Sequence, residues 1–203
     1  MGREKLKKTF AVVLVAVAFA LVAAAQEATL PRKAPELAFT IPGQGQKLLS
    51  QYRGKVVALE FILTTCPHCQ AASRLMSRLQ LEFGPRGFQS LDVAINALDE
   101  NRTAQQADQL VQNFTTQYQV QFPVGYTTRD QMLSFMGFSI MDRFVVPQLV
   151  LIDRAGMIHY QTPPLGDQNA MTENVIRQRI QELLALPPPT SHPVRKVASR
   201  KPA

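Results

Sequence analysis

The chain has 203 residues, of which 46% are hydrophobic and 18% are charged, and its formal net charge is +7 at pH 7. The excess positive charge lies in residues 1–25 and 187–203, whereas the two signs balance over residues 26–186. A folded part without a basic excess argues against a nucleic-acid partner. Its length suits a single domain that buries a sizeable core.

Residues 1–25 have the three parts of a secretory signal peptide. Four basic residues precede an apolar run over residues 10–25, which ends in three alanines before Gln26. The run has 16 residues, fewer than the ~20 that span a bilayer. We predict cleavage after Ala25, with an uncleaved N-terminal membrane anchor as the alternative. Either outcome places the domain outside the cytoplasm, in the periplasm or secreted, where disulfides persist.

Residues 26–36 are predicted to be a linker and residues 37–186 a single α/β domain. A short strand is expected at residues 37–41, with a hairpin partner at residues 47–49. The run over residues 56–63 is apolar except for Glu60. A nearly continuous apolar run of this length is typical of a strand that is buried on both faces. We therefore predict that it is the central strand.

Strands and helices then alternate to the end of the domain, as in α/β proteins. The periodicity predicts helices at residues 67–83, 103–118, 129–135 and 172–186, strands at 88–95 and 121–124, and a hairpin at 145–152 and 157–161. Residues 187–203 are rich in proline and basic residues and poor in large apolar ones. We predict that this tail is disordered.

The two cysteines of the chain, Cys66 and Cys69, stand at the predicted start of the helix after the central strand. Cysteines at this spacing can form a disulfide, and a helix N-terminus stabilises a thiolate on Cys66. A bridge across so short a loop contributes little to stability. A zinc site needs about four ligands, whereas His159 and His192 stand alone. The pattern predicts a redox-active pair and no metal site.

His68 lies between the two cysteines. An imidazole at this position stabilises the Cys66 thiolate, either as a cation or as a dipole. A stabilised reduced form makes a dithiol pair a stronger oxidant.

A strand, a Cys-x-x-Cys pair at the next helix start and a late strand led by Val146 and Pro147 together resemble the thioredoxin fold. The phrases APELAF at residues 34–39 and YRGKVV at residues 52–57 resemble the TlpA/ResA-type envelope thioredoxins. This resemblance implies a central mixed sheet flanked by helices, with an extra N-terminal hairpin and a central insert.

The resemblance also implies roles for individual residues. Cys66 is expected to be the exposed nucleophile, and Cys69 to resolve the mixed disulfide. Pro147 is expected to be cis and to lie against the cysteines. Glu60 matches the buried carboxylate that thioredoxin-like proteins carry six positions before the first cysteine. Independently, a buried unpaired Glu is driven toward its neutral form and could exchange a proton with Cys69, whereas a Glu at a strand edge would face water.

The implied function is an extracytoplasmic thiol-disulfide oxidoreductase, monomeric and without organic cofactor. Its partners would be protein thiols or disulfides and a membrane redox protein. The sequence departs from the family pattern at two positions. Thr65 replaces the aromatic residue that commonly precedes the first cysteine, which is expected to widen access to its sulfur. Ala72 replaces a Glu found in some reductases of this type, which weakens the identification of a client. His68 favours an oxidant, whereas the architecture resembles reductases, so the direction of electron flow stays open.

Two other functions were considered. A thiol peroxidase of the peroxiredoxin type would need Pro and Thr seven and three residues before the reactive cysteine, where this chain has Leu59 and Leu63. A copper-delivery module could use the cysteines with Met132, Met136 and His159 as soft or imidazole ligands. Such modules usually separate their cysteines by three residues rather than two.

Overall fold

The computed structural model describes residues 29–188 of the chain. The predicted signal peptide and residues 189–203 of the predicted tail lie outside this part. The described part contains the strands β1 Arg32–Lys33, β2 Ala38–Ile41, β3 Gly45–Leu48, β4 Val56–Ile62, β5 Phe88–Ala94, β6 Val124–Tyr126, β7 Gln148–Ile152 and β8 Met157–Gln161. It also contains the helices α1 Pro67–Phe83, α2 Ala104–Gln117, α3 Arg129–Met136 and α4 Glu173–Ala185.

The strands form one mixed sheet in the order β1-β8-β7-β4-β5-β6-β2-β3. The apolar run predicted as the central strand becomes β4, and all seven of its residues are buried. β4 pairs in parallel with β5 and antiparallel with β7. The α2–β6 segment, which follows β5 and precedes α3, forms the predicted central insert. The predicted α/β architecture with a central mixed sheet is therefore confirmed.

The apolar residues of β4 alternate between two core clusters, one on each face of the sheet. Ala58 and Ile62 belong to the cluster that packs under α1, α2 and α4. Leu59 and Phe61 belong to the cluster that packs against α3 and the N-terminal hairpin. Because side chains alternate along a strand, Glu60 is on the same face as Ala58 and Ile62. The carboxyl group of Glu60 therefore points toward the α1 side of the sheet.

The N-terminal hairpin of β2 and β3 extends the sheet beyond the insert. β2 pairs with β6 at Thr40 and Tyr126. A Cβ at Gly125 would lie 2.8 Å from the Thr40 carbonyl oxygen and 2.8 Å from the ring of Phe39. A glycine is thus required where the hairpin approaches β6, because a side chain there would meet backbone that cannot yield.

Several boundaries differ from the sequence predictions. The strand expected at residues 47–49 is observed at Gly45–Leu48, and the strand expected at residues 145–152 begins only at Gln148, after the cis-proline loop. Arg32 and Lys33, predicted as linker, form β1 and pair with β8, and the Arg32 guanidinium donates to the Gln161 side-chain oxygen at 2.5 Å. The linker prediction is wrong at these two residues because a long-range pairing, rather than a local apolar pattern, forms the strand. The strand predicted at residues 121–124 is observed at Val124–Tyr126.

Within residues 29–188, no helix is long and apolar enough to cross a membrane.

Candidate active site

Cys66 is the N-cap of α1, at the point where the chain leaves the central strand. Its backbone is extended, with φ −83° and ψ 121°, and Pro67 occupies the first turn of the helix. Proline is well suited to that position, because the N–H it lacks would have no partner within the helix. Cys66 is half-buried, and its Sγ lies 3.9 Å from the Val146 carbonyl oxygen. Cys66 therefore lies at the helix start, as the sequence analysis expected, but it is half-buried rather than fully exposed.

Cys69 lies one turn deeper in the helix and is fully buried. Burial raises the pKa of the Cys69 thiol, and the proximity of Cys66 and Glu60 adds to the increase. A hydrogen bond with the backbone of Leu63 opposes this rise in pKa in part. Both cysteines are thiols rather than a disulfide in this structure. Cys69 therefore needs a proton acceptor before it can act as a nucleophile.

The loop before β7 faces Cys66. The Val146–Pro147 peptide bond is cis, as the resemblance implied for Pro147. The buried amide of Gln148 donates hydrogen bonds to the carbonyls of Val145 at 2.7 Å and Pro164 at 3.0 Å. The Thr162 hydroxyl in turn donates to the Gln148 side-chain oxygen at 2.6 Å. The sequence analysis did not identify Gln148 as a support of this loop.

An apolar groove of about 460 Å³ opens beside the cysteines. Glu60, the exposed His68 and Pro147 are among its lining residues, whereas neither cysteine lines it directly. Its remaining lining residues are largely apolar: Ala71, Ala72, Leu75, Val145, Val146, Leu165, Gly166, Asp167, Gln168, Met171 and Ile176. A larger hollow of about 560 Å³ lies between the N-terminal segment and the β7–β8 turn and contains neither cysteine.

Glu60 is completely buried, so a strand-edge position facing water is excluded. Among the described residues, neither of its carboxyl oxygens accepts a hydrogen bond from a donor group, and the Asp92 carboxyl group is within hydrogen-bonding reach of Glu60. Burial raises the pKa of Glu60 well above its ordinary value, and the nearby Asp92 raises it further. A carboxyl group in this environment favours its protonated form.

Asp92 is a second buried carboxyl group that the sequence analysis missed. It is the direct neighbour of Glu60 in the β4–β5 register and is also completely buried. Its Oδ2 accepts a hydrogen bond from the Ser73 hydroxyl at 2.5 Å, while its Oδ1 has no partner among the described residues. Burial raises the pKa of Asp92, and the Ser73 hydrogen bond opposes that rise in part. The signal in the sequence was a single acidic residue within a predicted strand, weaker than for Glu60 because Gln89 and Ser90 precede it in the same strand.

The residues proposed as copper ligands do not lie together around the cysteines. Met132 and Met136 are buried in the core cluster on the face of the sheet opposite to Cys69. His159 instead contacts the Asp153 carboxylate at 2.8 Å. Within residues 29–188, no group of three or more His, Cys, Asp or Glu side chains is placed to hold a metal ion.

The two positions that the peroxidase alternative needs are also unsuited to it. Leu59 is buried on the face of β4 opposite to Glu60 and the cysteines, and Leu63 packs against the same cluster as Leu59. Neither side chain offers a hydrogen bond to a peroxide at Cys66.

Comparisons with known proteins agree with this geometry. The AhpC/TSA family matches residues 30–161 of the chain. The chain is 30% identical over 116 residues to the thiol-disulfide oxidoreductase ResA of Bacillus thuringiensis subsp. konkukian, a match that covers 57% of this chain and 59% of that protein. It is also 30% identical to ResA of Bacillus anthracis over 126 residues, covering 62% of this chain and 64% of that protein. The chain thus spans about three fifths of the length of these relatives.

Solved structures share the fold. A Chlorobium tepidum protein assigned as the thiol:disulfide interchange protein DsbE superposes with a TM-score of 0.59 and 25% identity, covering 76% of this chain and 96% of that one. The thioredoxin-like superfamily protein SPOA0173 has a TM-score of 0.60 and 24% identity, covering 77% and 99%. The thioredoxin-like fold that the sequence predicted is therefore confirmed.

Proposed function

The chain belongs to the AhpC/TSA family, and from that membership and the site we propose that it is a thiol-disulfide oxidoreductase. The observation that carries the proposal is the asymmetry of its two cysteines: Cys66 is accessible at a helix N-terminus, whereas Cys69 is buried one turn below it. An accessible thiolate at a helix start is the nucleophile of disulfide exchange, and a shielded neighbour resolves the product. The matched parts of the ResA relatives and of the DsbE structure support the same activity.

The exchange proceeds in two displacement steps. The Cys66 thiolate attacks one sulfur of a client disulfide, so that a Cys66–client disulfide forms and the other client sulfur leaves as a thiolate. Cys69 then loses its proton to Glu60 in the ionised form of that carboxyl group, which is its minor form at rest, and the Cys69 thiolate attacks Cys66 Sγ. The Cys66–Cys69 bond forms, the second client sulfur leaves as a thiolate, and two electrons have passed to the client. In the opposite direction a client disulfide forms, and Glu60 returns the proton to Cys69.

The groove beside the cysteines supports a protein client. Its largely apolar lining includes His68 and the Val146–Pro147 loop, which are neighbours of Cys66, and an extended segment flanking a client cysteine could occupy it. The Val146 carbonyl stands next to Cys66 Sγ and could accept a backbone hydrogen bond from that segment. We infer no organic cofactor, since the dithiol itself carries the electrons.

We further propose that the protein acts outside the cytoplasm as a monomer and exchanges electrons with a membrane redox protein. The signal-like residues 1–25, which lie outside the described residues, and the resemblance to envelope thioredoxins support this location.

The experiment that tests the proposed activity is capture of a mixed disulfide. The Cys69→Ser variant of the full chain, incubated with a peptide that contains one internal disulfide, is expected to accumulate a covalent adduct through Cys66. Wild-type protein resolves the adduct, and Cys66→Ser forms none. Equal adduct yields from the two variants, or no adduct from Cys69→Ser, would contradict the assigned roles.

A further inference from the structure

We propose that Glu60 and Asp92 form a carboxyl pair that keeps at least one proton at neutral pH, with Asp92 positioning the proton that Glu60 exchanges with Cys69. The part of this inference that concerns Cys69 rests on the proposed function. The proton retention itself follows from the placement of the two acids. Asp92 is a positioning residue, because it acts on the cysteines through Glu60.

Within residues 29–188, no lysine or arginine forms an ion pair with either carboxyl group. Both carboxyl groups are completely buried, and they are direct neighbours across β4 and β5. Among the described residues, the ion pairs involve other side chains, and neither Lys nor Arg lines the groove. Two adjacent buried carboxylates with no counter-ion cannot both be charged, so the pair is expected to share a proton.

The second argument concerns unsatisfied oxygens. Three of the four carboxyl oxygens, both of Glu60 and Oδ1 of Asp92, accept no hydrogen bond from a donor group among the described residues, and the two carboxyl groups are within hydrogen-bonding reach of each other. An ionised carboxylate needs several donors to be stable in a buried site. The one donor provided, the Ser73 hydroxyl at 2.5 Å, reaches Asp92 alone. The proton is therefore favoured on Glu60 and the remaining negative charge on Asp92.

Ser73 also connects this pair to the redox helix. Its hydroxyl lies 3.0 Å from the Cys69 carbonyl oxygen and 2.5 Å from Asp92 Oδ2. A hydroxyl has a single hydrogen, so the two acceptors compete for it. A proton on Asp92 would let the acid donate to Ser73 while Ser73 donates to Cys69. The pair can thus pass a proton between its members with only small changes at the helix.

Other titratable groups face the pair and must be included in its pH dependence. Cys66 and Cys69 face it from α1, and His68 and Asp167 line the groove that Glu60 adjoins. On the neighbouring strand β7, the residue opposite Glu60 is Leu149, which has no titratable group. A pH dependence of unfolding or of exchange is assigned to the pair only if replacing both carboxyl groups abolishes that dependence.

Proton retention is tested by the pH dependence of unfolding, which does not require activity. In an unfolded chain both acids are ionised above pH ~5. Each proton that the folded state retains makes the unfolding equilibrium constant rise about tenfold per pH unit. Between pH 5.5 and 7, the unfolding equilibrium constant of wild type is expected to rise at least about tenfold more per pH unit than that of the double variant Glu60→Gln/Asp92→Asn. Asp99→Asn, which removes an exposed carboxylate, serves as the control and should match wild type. Equal slopes in wild type and the double variant would overturn the proposal.

The wild-type protein supplies a second measurement if the double variant does not fold. At pH 7, its infrared spectrum should contain the carbonyl stretching band of a protonated carboxylic acid. The band should be altered in Glu60→Gln. A wild-type spectrum without a protonated carboxyl band at pH 7 would overturn the proposal.

The positioning role is tested by a double-mutant cycle on the pH profile of the Cys69-dependent step. Asp92→Asn removes the negative neighbour of Glu60, so the pH at which Glu60 titrates should shift to lower values by about one unit or more. In a Glu60→Gln background, Asp92→Asn should leave the profile unmoved. The same shift in both backgrounds would show that Asp92 does not act through Glu60. If wild type and all variants lack exchange activity while the pH dependence of unfolding is as predicted, the proposed function is rejected. The inference that Glu60 and Asp92 share a proton then still stands.

Discussion

The two cysteines should differ strongly in their rate of alkylation, and this difference follows from their positions in α1. Cys69 has no exposed surface, and burial raises the pKa of its thiol. Each unit of increase in pKa lowers the thiolate fraction at pH 7 about tenfold, so the raised pKa of Cys69 slows its alkylation relative to Cys66. The lack of access to reagent slows it further. Cys66, half-buried at the helix start, lacks this protection.

The assay treats reduced, folded protein with iodoacetamide at pH 7 and locates the modified cysteine by peptide mass spectrometry at successive times. Cys66 should be modified first, with Cys69 at least ~100-fold slower. In denaturant, which removes the burial difference, the two rates should converge. Modification of Cys69 first, or equal rates in the folded protein, would refute the assignment of nucleophile and resolving cysteine.

Three further perturbations have defined outcomes. His68→Pro should move the reduction potential of the couple toward the reducing side by ~30–60 mV in glutathione equilibration, because the imidazole that it removes is expected to favour the reduced form. An unchanged potential would show that His68 does not set the potential. Glu60→Gln should slow the Cys69-dependent step of exchange ~10- to 100-fold in stopped-flow measurements. The pKa of Glu60 is raised in the folded state, so its contribution to stability is complete below pH ~4.3 and is lost as the pH rises through the folded-state pKa. The free energy of unfolding of Glu60→Gln should therefore rise relative to that of wild type by up to ~1.4 kcal/mol per pH unit over this range. A difference in free energy of unfolding that does not change with pH would contradict this. Gly125→Ala should lower the free energy of unfolding by ~1–3 kcal/mol in denaturant titrations, since its Cβ would meet β2. At temperatures where this variant is folded, its exchange activity should be that of wild type, and a loss of activity there would contradict a purely structural role for Gly125.

The sequence was most informative where the local pattern and the tertiary environment agree. Residues 67–83 were predicted as a helix and are observed as α1, because a proline at the start and a glycine-proline pair at the end mark its limits. The apolar run after residue 55 identified the central strand, since only a strand covered on both faces tolerates so few polar residues. Burial of Glu60 could be predicted from the same run.

Features created by long-range contacts were not predictable in this way. β1 has two polar residues and exists because β8 offers an edge. The position of β6 is set by its pairing with Asp92–Ala94 on one side and Thr40 on the other. The Glu60–Asp92 juxtaposition depends on strand register, which no local pattern specifies. The Gln148 contacts to the Val146–Pro147 loop likewise depend on how that loop folds back toward residues 162–164.

The central claim, that Cys66 and Cys69 form a working redox couple, is tested most directly by equilibrating the protein with glutathione buffers of graded potential. The account predicts one two-electron transition between a dithiol and an intramolecular disulfide, at a potential between ~−270 and ~−120 mV, and its disappearance in Cys66→Ser. A pair that stays fully reduced across the whole range, or that accumulates glutathione adducts without forming the Cys66–Cys69 bond, would contradict it.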